Sequence, residues 1–350
     1  MKNSRTRSTA PRRLALAFGT VLASSAALAQ VQLYGTIDAA VGQIESQPNG
    51  APNTPIQRVR GVFNGGAQTS YFGIRANEDL GDGLRARFIL ESFLRVDTGQ
   101  NGRFDATPGG GADAFWSREA YVALGNRFGE VRLGNNATPV WIAMLQTNAL
   151  GANSVFSPSF RQLFNGGARA VVEADTAMVN SVKYQAPTLG GVDGSVVLQP
   201  GEGSGRFSYS ANLGYRAGPL TFSAAYANFR HAAVPNFPGA RDQSVYLLGG
   251  AYDFGIVRLF AQYTDITNDH LGTKDKLPHF GFSVPIGVGQ VQFSTGSDKT
   301  SGKVTAKRTT SSLGYVYALS KRTDVYTFAM REEWMVGTGN SAVVGVRHRF

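Results

Sequence analysis

From Val31 onward apolar and polar side chains alternate with a period of two. Val31, Leu33, Ile37, Ala39 and Val41 fall on one parity, and Gln32, Tyr34, Thr36 and Asp38 on the other. Successive side chains of an extended strand point to opposite faces, so this pattern predicts a two-faced strand. It returns where Phe207, Tyr209, Ala211, Leu213 and Tyr215 oppose Ser208, Ser210 and Asn212, and where Leu259, Ala261 and Tyr263 oppose Arg258, Gln262 and Thr264. The stretch Ser244–Asp253 is ambiguous.

Short breaks rich in Gly, Asp, Asn and Pro punctuate the alternation. They fall at Glu78–Gly83, Gly125–Gly129, Pro187–Gly191, Ala217–Pro219, Asp253–Gly255, Pro285–Gly289 and Leu319–Thr323. These residues supply the backbone angles of tight turns. Seven hairpins, a first strand and a last strand, Ser341–Phe350, give about sixteen strands. Longer polar, Gly-rich segments separate the hairpins near 44–65, 98–112, 137–177, 200–205, 231–241, 267–275, 299–307 and 334–339. The longest, about 137–177, reads as an unstructured loop, and a loop of that length is usually functional.

Tight turns at one end and long segments at the other predict an all-β fold, a transmembrane antiparallel β-barrel of about 16 strands. Such strands alternate apolar-out and polar-in, and closure satisfies every backbone donor and acceptor within lipid. Sixteen strands leave an aqueous bore, which the long loop would narrow by folding inward. Tyr and Phe at strand ends (Tyr184, Tyr215, Tyr252, Phe254, Tyr263, Tyr317, Phe350) suit interfacial belts.

Composition refines this picture. Residues 1–29 carry five basic side chains, an apolar run from Leu14 and an Ala27-Leu28-Ala29 exit, the pattern of a cleaved signal peptide. Setting them aside reduces 34 Lys+Arg against 24 Asp+Glu to 29 against 24, so the formal charge falls from +10 to +5. The remaining bases are spread singly along strands, which argues against a nucleic-acid partner. The chain has no cysteine, so neither a disulfide scaffold nor a thiolate site is available. His231, His270, His279 and His348 are dispersed, with no metal-binding pair or nucleophile motif beside them, so no enzyme, metal or cofactor is expected.

The chain resembles the general trimeric porins of the Gram-negative outer membrane over residues 30–350. The resemblance rests on Leu33–Ala39, Asn77–Leu84, Asn180–Tyr184, Ala251–Gly255, Tyr317–Asp324 and the ending Val344–Phe350. It implies a single barrel domain in the outer membrane, a homotrimer, contact with outer-membrane lipid and lipopolysaccharide, and passive diffusion of small hydrophilic solutes and ions. It also implies a third loop, here about 137–177, folded inward with an acidic edge facing wall arginines, and a terminal aromatic, Phe350, used in assembly. Three positions depart from the family: Tyr71 and Asn135 stand where relatives carry arginine, and Met178 lies where another is often found.

Strand parity turns Arg75, Arg85, Arg87, Glu91 and Lys183 toward the lumen, because a bare charge at the lipid midplane costs about 2–4 kcal/mol. Arg118 cannot be oriented from parity. The long loop adds Arg161, Arg169, Glu173 and Asp175, either at the eyelet, or pinning the loop to the wall, or at the trimer seam. Trp141, Phe156, Phe160 and Phe164 are expected to pack the loop against the barrel. The resulting expectation is a weakly anion-selective channel. The alternatives are a substrate-selective channel, suggested by Tyr71 and the aromatic loop, or a structural or adhesin-like barrel.

Overall fold

A computed structural model describes residues 31–47, 55–103, 113–164, 172, 175–201, 206–231 and 241–350. The expected signal peptide, residues 1–29, lies outside them. The strands are β1 (Gln32–Ser46), β2 (Gln57–Asn64), β3 (Tyr71–Gly81), β4 (Leu84–Phe93), β5 (Glu119–Asn126) and β6 (Gly129–Ala137). Two helices, α1 (Pro139–Gln146) and α2 (Pro158–Phe164), precede β7 (Ala177–Gln185), β8 (Val192–Gln199), β9 (Ser208–Ala217), β10 (Leu220–His231) and β11 (Arg241–Asp253). The wall continues through β12 (Arg258–Asn268), β13 (Thr273–Ile286), β14 (Gly289–Gly302), β15 (Ala306–Ala318), β16 (Thr323–Trp334) and β17 (Gly337–Arg349).

All neighbours pair antiparallel, and β1 pairs with β17 to close the sheet. The upper half of β1 (Ala39–Ser46) pairs with β2, and its lower half (Gln32–Thr36) with β3. β2 and β3 are therefore two halves of one wall strand, and the seventeen segments make a sixteen-strand barrel. The seam is sealed to the last residue: Gly35 N donates to Phe350 O at 3.2 Å, and Phe350 N donates to Gly35 O at 3.1 Å.

All seven expected hairpin turns are present. Several segments expected as loops are instead strand. β1 and β2 occupy much of 44–65, and β12–β13, β14–β15 and β16–β17 reconnect after short gaps following Asn268, Gly302 and Trp334. The polar, Gly-rich composition there reflects strands that keep their register beyond the apolar band, so polarity alone misplaces their ends.

Burial inverts the usual order of a water-soluble protein. Leu33, Val122, Leu133, Leu213, Leu248, Phe280 and Leu313 are exposed on the outer face, whereas Asp38, Ser210, Ser223, Thr264, Thr310 and Glu332 are buried inside. A continuous exposed apolar belt around a polar interior is the arrangement lipid selects.

Candidate functional site

After β6 the chain leaves the wall, and its described residues up to Phe164 lie in the interior. The chain gives this segment two helix starts of the same kind, Thr138–Pro139 and Ser157–Pro158, with a hydroxyl at the cap and a proline at the first helical position. Thr138 Oγ1 accepts from Trp141 N at 3.2 Å, and Ser157 Oγ accepts from Phe160 N at 3.3 Å. The described part of the segment thus contains two short helices where an unstructured loop was expected. Between them Asn148 Nδ2 donates to Gly151 O (2.6 Å) and Ser157 Oγ (2.9 Å), while Asn153 Oδ1 accepts from Val155 N and Phe156 N.

The wall is shaped to receive this loop. Val140, Ala143, Met144 and Leu163 pack with Val197, Ala227, Val245, Leu247, Ile266 and Leu277, all fully or nearly fully buried. Ser223 Oγ donates to Ala143 O (2.8 Å), and Gln262 Nε2 to Met144 O (2.7 Å). A Cβ on wall residue Gly249 would run into Thr147 Oγ1, so glycine makes the seat. Further along, Gln162 Nε2 donates to Gly296 O and Thr310 Oγ1, and Phe156 stacks on Phe328 at 5.5 Å. The buried Glu332 carboxylate accepts from Arg161 on both oxygens (Nε 3.2 Å, Nη2 2.7 Å), from Arg308 Nε (2.7 Å) and from Thr310 Oγ1 (2.8 Å).

A second inward element faces the loop. Residues 65–70, where β2 gives way to β3, wrap around Asp38, whose carboxylate accepts from the backbone N–H of Gly66 (3.0 Å), Ala67 (3.2 Å) and Gln68 (2.8 Å) and from Tyr326 Oη. Consecutive backbone N–H groups make an anion nest, here filled from within the protein. This turn meets the loop where Thr69 Oγ1 donates to Ser154 Oγ (3.0 Å) and Asn153 Nδ2 donates to Gly66 O (3.1 Å).

Loop and wall leave a cleft bordered by Gln68, Thr69, Phe93, Arg103, Arg118 and Glu119 on the wall side. Ala137, Trp141, Ala152, Phe160 and Thr176 border it on the loop side. It holds about 540 Å³ of space, some of it continuous with open solvent. Its cations are compensated: Arg118 pairs with Glu91 and lies 4.0 Å from the Tyr71 ring centre, and Arg103 pairs with Asp113 and Asp175. Burial alone would raise the Asp113 carboxyl, but the Arg103 guanidinium and backbone N–H outweigh it and hold the group below the usual carboxylate range.

Toward the tight-turn end the balance changes. Arg75 lies on the Tyr34 ring at 4.5 Å and donates to Gln32 Oε1, a neutral partner. Arg87 and Arg132 share one carboxylate oxygen, Glu130 Oε1, and both approach the Tyr121 ring (5.8 and 4.8 Å). Lys183 Nζ donates to Ala137 O at 3.1 Å, at the root of the loop. Register places Arg85 beside Asp79 and Gly125 on the same face.

The Gram-negative porin family matches residues 14–333. Outer membrane porin protein 32 of Delftia acidovorans is 30% identical over 328 residues, covering 89% of this chain and 86% of the relative. The chain belongs to the Gram-negative porin family. A second relative, an outer membrane porin protein of Bordetella pertussis, is 28% identical over 91% of this chain and 94% of its own. Among solved structures, an anion-selective porin from Comamonas acidovorans superposes with a TM-score of 0.75 at 26% identity, covering 92% of this chain and 100% of that one. This porin is an outer-membrane protein, and its family and fold are those of a channel rather than an enzyme.

The porin's expected site residues separate into groups. Tyr71, Arg75, Arg85, Arg87 and Glu91 share the inward face set by the β1–β3–β4 register, and Lys183 stands on the inward face of β7. Asn135 does not: it pairs with Ala120, in the outer column of Leu33, Ile74 and Leu90, and its amide donates to Ser117 O at 3.1 Å. Arg161 is 9% exposed and spent on Glu332, so it anchors the loop and does not line the bore. Asp175 is held by Arg103. Arg169 and Glu173 lie outside the described residues. Trp141, Phe160 and Phe164 pack on one another at 5.2–5.6 Å. Sequence reasoning missed Asp38, Arg103, Glu119, Glu130, Arg132, Arg308 and Glu332. Of these, Glu130 and Arg132 share a parity with the inward residues of their strand, a readable signal.

Proposed function

We propose that this porin is a water-filled diffusion channel with a modest preference for anions, narrowed by residues 137–177 against the wall. The observation that carries the reading is the lumen face of β3–β7, where Arg75, Arg85, Arg87 and Arg132 oppose Asp79, Glu119 and Glu130, while Glu91 is paired with Arg118 and Lys183 is buried. A fixed excess of one sign beside a narrow aqueous path raises the local concentration of counter-ions. The anion-selective title of the Comamonas acidovorans neighbour supports the same direction. Screening over about 8–10 Å at ordinary salt keeps the preference modest.

The zero-current potential of reconstituted channels across a KCl gradient tests this. Anion preference is expected, growing as salt is diluted and shrinking in a variant with Arg75, Arg87 and Arg132 changed to Gln. A cation preference would reject the assignment. In the same proteoliposomes, swelling rates should fall smoothly with solute mass, and a single fast outlier would point to a substrate-selective channel.

The assembly we propose is a homotrimer. Family membership motivates it, as does a β1 outer face bearing the small and apolar Ala39 and Val41, against which another wall can pack. Native mass spectrometry in mild detergent should give three copies per particle, and monomer alone would reject the trimer.

A further inference from the structure

Beneath the inner loop, on the tight-turn side, the wall holds a hollow distinct from the cleft. Its roof is the run from Leu145 to Gly151, and its floor is the rim of turns at Asp253, Gly255 and Pro285. Between them stand Arg258 and Phe260 of β12, Ser283 of β13, and Gln290 and Gln292 of β14. It holds about 900 Å³ of space, part of it continuous with open solvent. Register puts these side chains on the inward face. Arg258 is opposite Ser283, which is opposite Gln292, whereas Leu259 and Tyr263 of the other parity are exposed on the outer face. The loop comes down onto this wall, since a Cβ on Gly281 would lie 2.6 Å from that of Ala149. In a wall of sixteen strands β12–β14 stand half-way round from β4–β6, so the hollow faces the arginine-rich side across the bore.

Arg258 differs from the other lumen cations. Arg87, Arg103, Arg118, Arg132 and Arg161 each bind a carboxylate, and among the described residues Arg258 binds none. Its guanidinium rests 5.1 Å from the Phe260 ring centre, and Nη2 donates to the hydroxyl of the buried Thr221 at 3.1 Å. Nε is buried without a partner, so Nη1 is the group left open to the hollow. A cation held in place by neutral groups keeps its charge for a ligand, and a guanidinium fits a planar carboxylate. Asp253, its register neighbour on β11, is occupied at the rim, where Oδ1 accepts from Gly255 N at 2.8 Å. The two amides touch only each other, Gln292 Nε2 donating to Gln290 Oε1 at 3.4 Å, a long and weak bond. Gln290 Nε2 remains as a donor and Gln292 Oε1 as an acceptor, with the Ser283 hydroxyl beside them. Carboxamides and hydroxyls together both give and take hydrogen bonds, as neighbouring alcohol groups on a ligand require.

We propose that this hollow is a weak binding subsite for sugar acids, polyhydroxylated monocarboxylates in transit through the channel. The carboxylate sits on Arg258, and the hydroxyls bond to Gln290, Gln292 and Ser283. The subsite rests on the diffusion-channel reading, because it lies beside the aqueous path below the loop. One cation matches one negative charge. A phosphate dianion would be left half compensated, a neutral sugar would leave Arg258 unpaired, and a bare anion such as acetate would leave the amides unfilled. Conduction requires that a bound solute leave again, so half-saturation is expected on the order of millimolar.

Saturation-transfer NMR of the purified, detergent-solubilised barrel tests this, titrated with glucuronate, its neutral isostere glucuronamide, acetate and glucose 6-phosphate. Glucuronate should half-saturate at a concentration at least about tenfold lower than each of the other three, the margin of one charge-assisted hydrogen bond. R258Q should remove the preference over glucuronamide, R258K should keep part of it, and Q290A/Q292A should remove the preference over acetate. If R258Q fails to give heat-modifiable barrel, Q290A/Q292A decides alone, since among the described residues these side chains bond only each other. Equal saturation by glucuronate and glucuronamide, by glucuronate and acetate, or by wild type and the folded variants overturns the proposal. So does tighter binding of glucose 6-phosphate, which marks a phosphate site. The zero-current potential without added ligand reads the channel function separately, so the two can fail independently.

Discussion

Replacing Glu332 with alanine should untie the inner loop, lowering the heat stability of the folded barrel and enlarging the channel. Glu332 is fully buried, and its carboxylate is the shared partner of Arg161 on α2 and Arg308 on β15. Removing it leaves the Arg161 guanidinium inside the barrel without its carboxylate, and leaves Arg308 with the buried Asp298 opposite it on β14 in place of Glu332. Breaking a buried pair in this way typically costs about 3–5 kcal/mol, because the remaining charge keeps its desolvation penalty. Arg161 Nη1 would still donate to Val155 O, a bond within the loop, and Arg308 Nη1 to Arg161 O, a single wall-to-loop bond to a neutral acceptor. The repulsion between two cations therefore acts across the loop–wall contact.

A pair of variants separates anchoring from general damage. Arg161→Ala leaves Glu332 bonded to Arg308 and Thr310, so it should cost much less stability while still freeing α2. Both variants should raise single-channel conductance, and only Glu332→Ala should strongly lower the temperature at which the folded band converts to the unfolded one. Unchanged conductance in both would show that α2 is held in place by its apolar contacts alone.

The wall was legible in the sequence because its determinants are local. A turn needs Gly, Asn or Asp at fixed backbone angles, as at Asp82 (φ 51°) and Gly83 (φ 77°), and a two-faced strand must alternate. Alternation failed where both faces are apolar. In β11, Tyr246 and Leu248 face outward, while Val245 and Leu247 face inward under α1 and are equally apolar because the loop, not water, covers them. The broken strand β2–β3 was missed for a related reason. Residues 44–65 read as one polar, Gly-rich connection, and nothing nearby in the chain announces that Asp38 will fill the backbone N–H groups of Gly66, Ala67 and Gln68.

The site was less legible because its contacts are remote in sequence. Arg161 and Glu332 are 171 positions apart, and Tyr326 and Asp38 are 288 apart. Parity could place Arg75 or Arg87 on the inward face, but it could not say which acid each would meet. Asn135 came from the family resemblance, and alternation along β6 places it outward with Val131 and Leu133. The inward asparagine is Asn136, on the parity of Glu130 and Arg132, buried with Nδ2 donating to Ser181 Oγ at 3.0 Å.

Replacing Asp38 with alanine should widen the channel from the side opposite the loop. The Asp38 carboxylate is the acceptor for three successive backbone N–H groups and for Tyr326 Oη, and both residues are buried. Alanine would leave these donors without a partner in a space too polar to be filled by a methyl group, at about 1–3 kcal/mol for each group left unsatisfied. The cheapest relief is for residues 65–70 to swing toward water. That movement carries Gln68 and Thr69 away from the cleft they border and breaks the contacts of Thr69 with Ser154 and of Gly66 with Asn153. Asp38→Asn should fall between, since its Oδ1 can still accept from Gly66 while its Nδ2 would face the N–H groups of Ala67 and Gln68. Single-channel conductance and the size limit in liposome swelling should both rise in the order wild type, asparagine, alanine. If conductance and thermal conversion both match wild type in Asp38→Ala, the turn is held by its own backbone and by Ser70, whose Oγ donates to Asp38 O, and the carboxylate has no part in setting the bore.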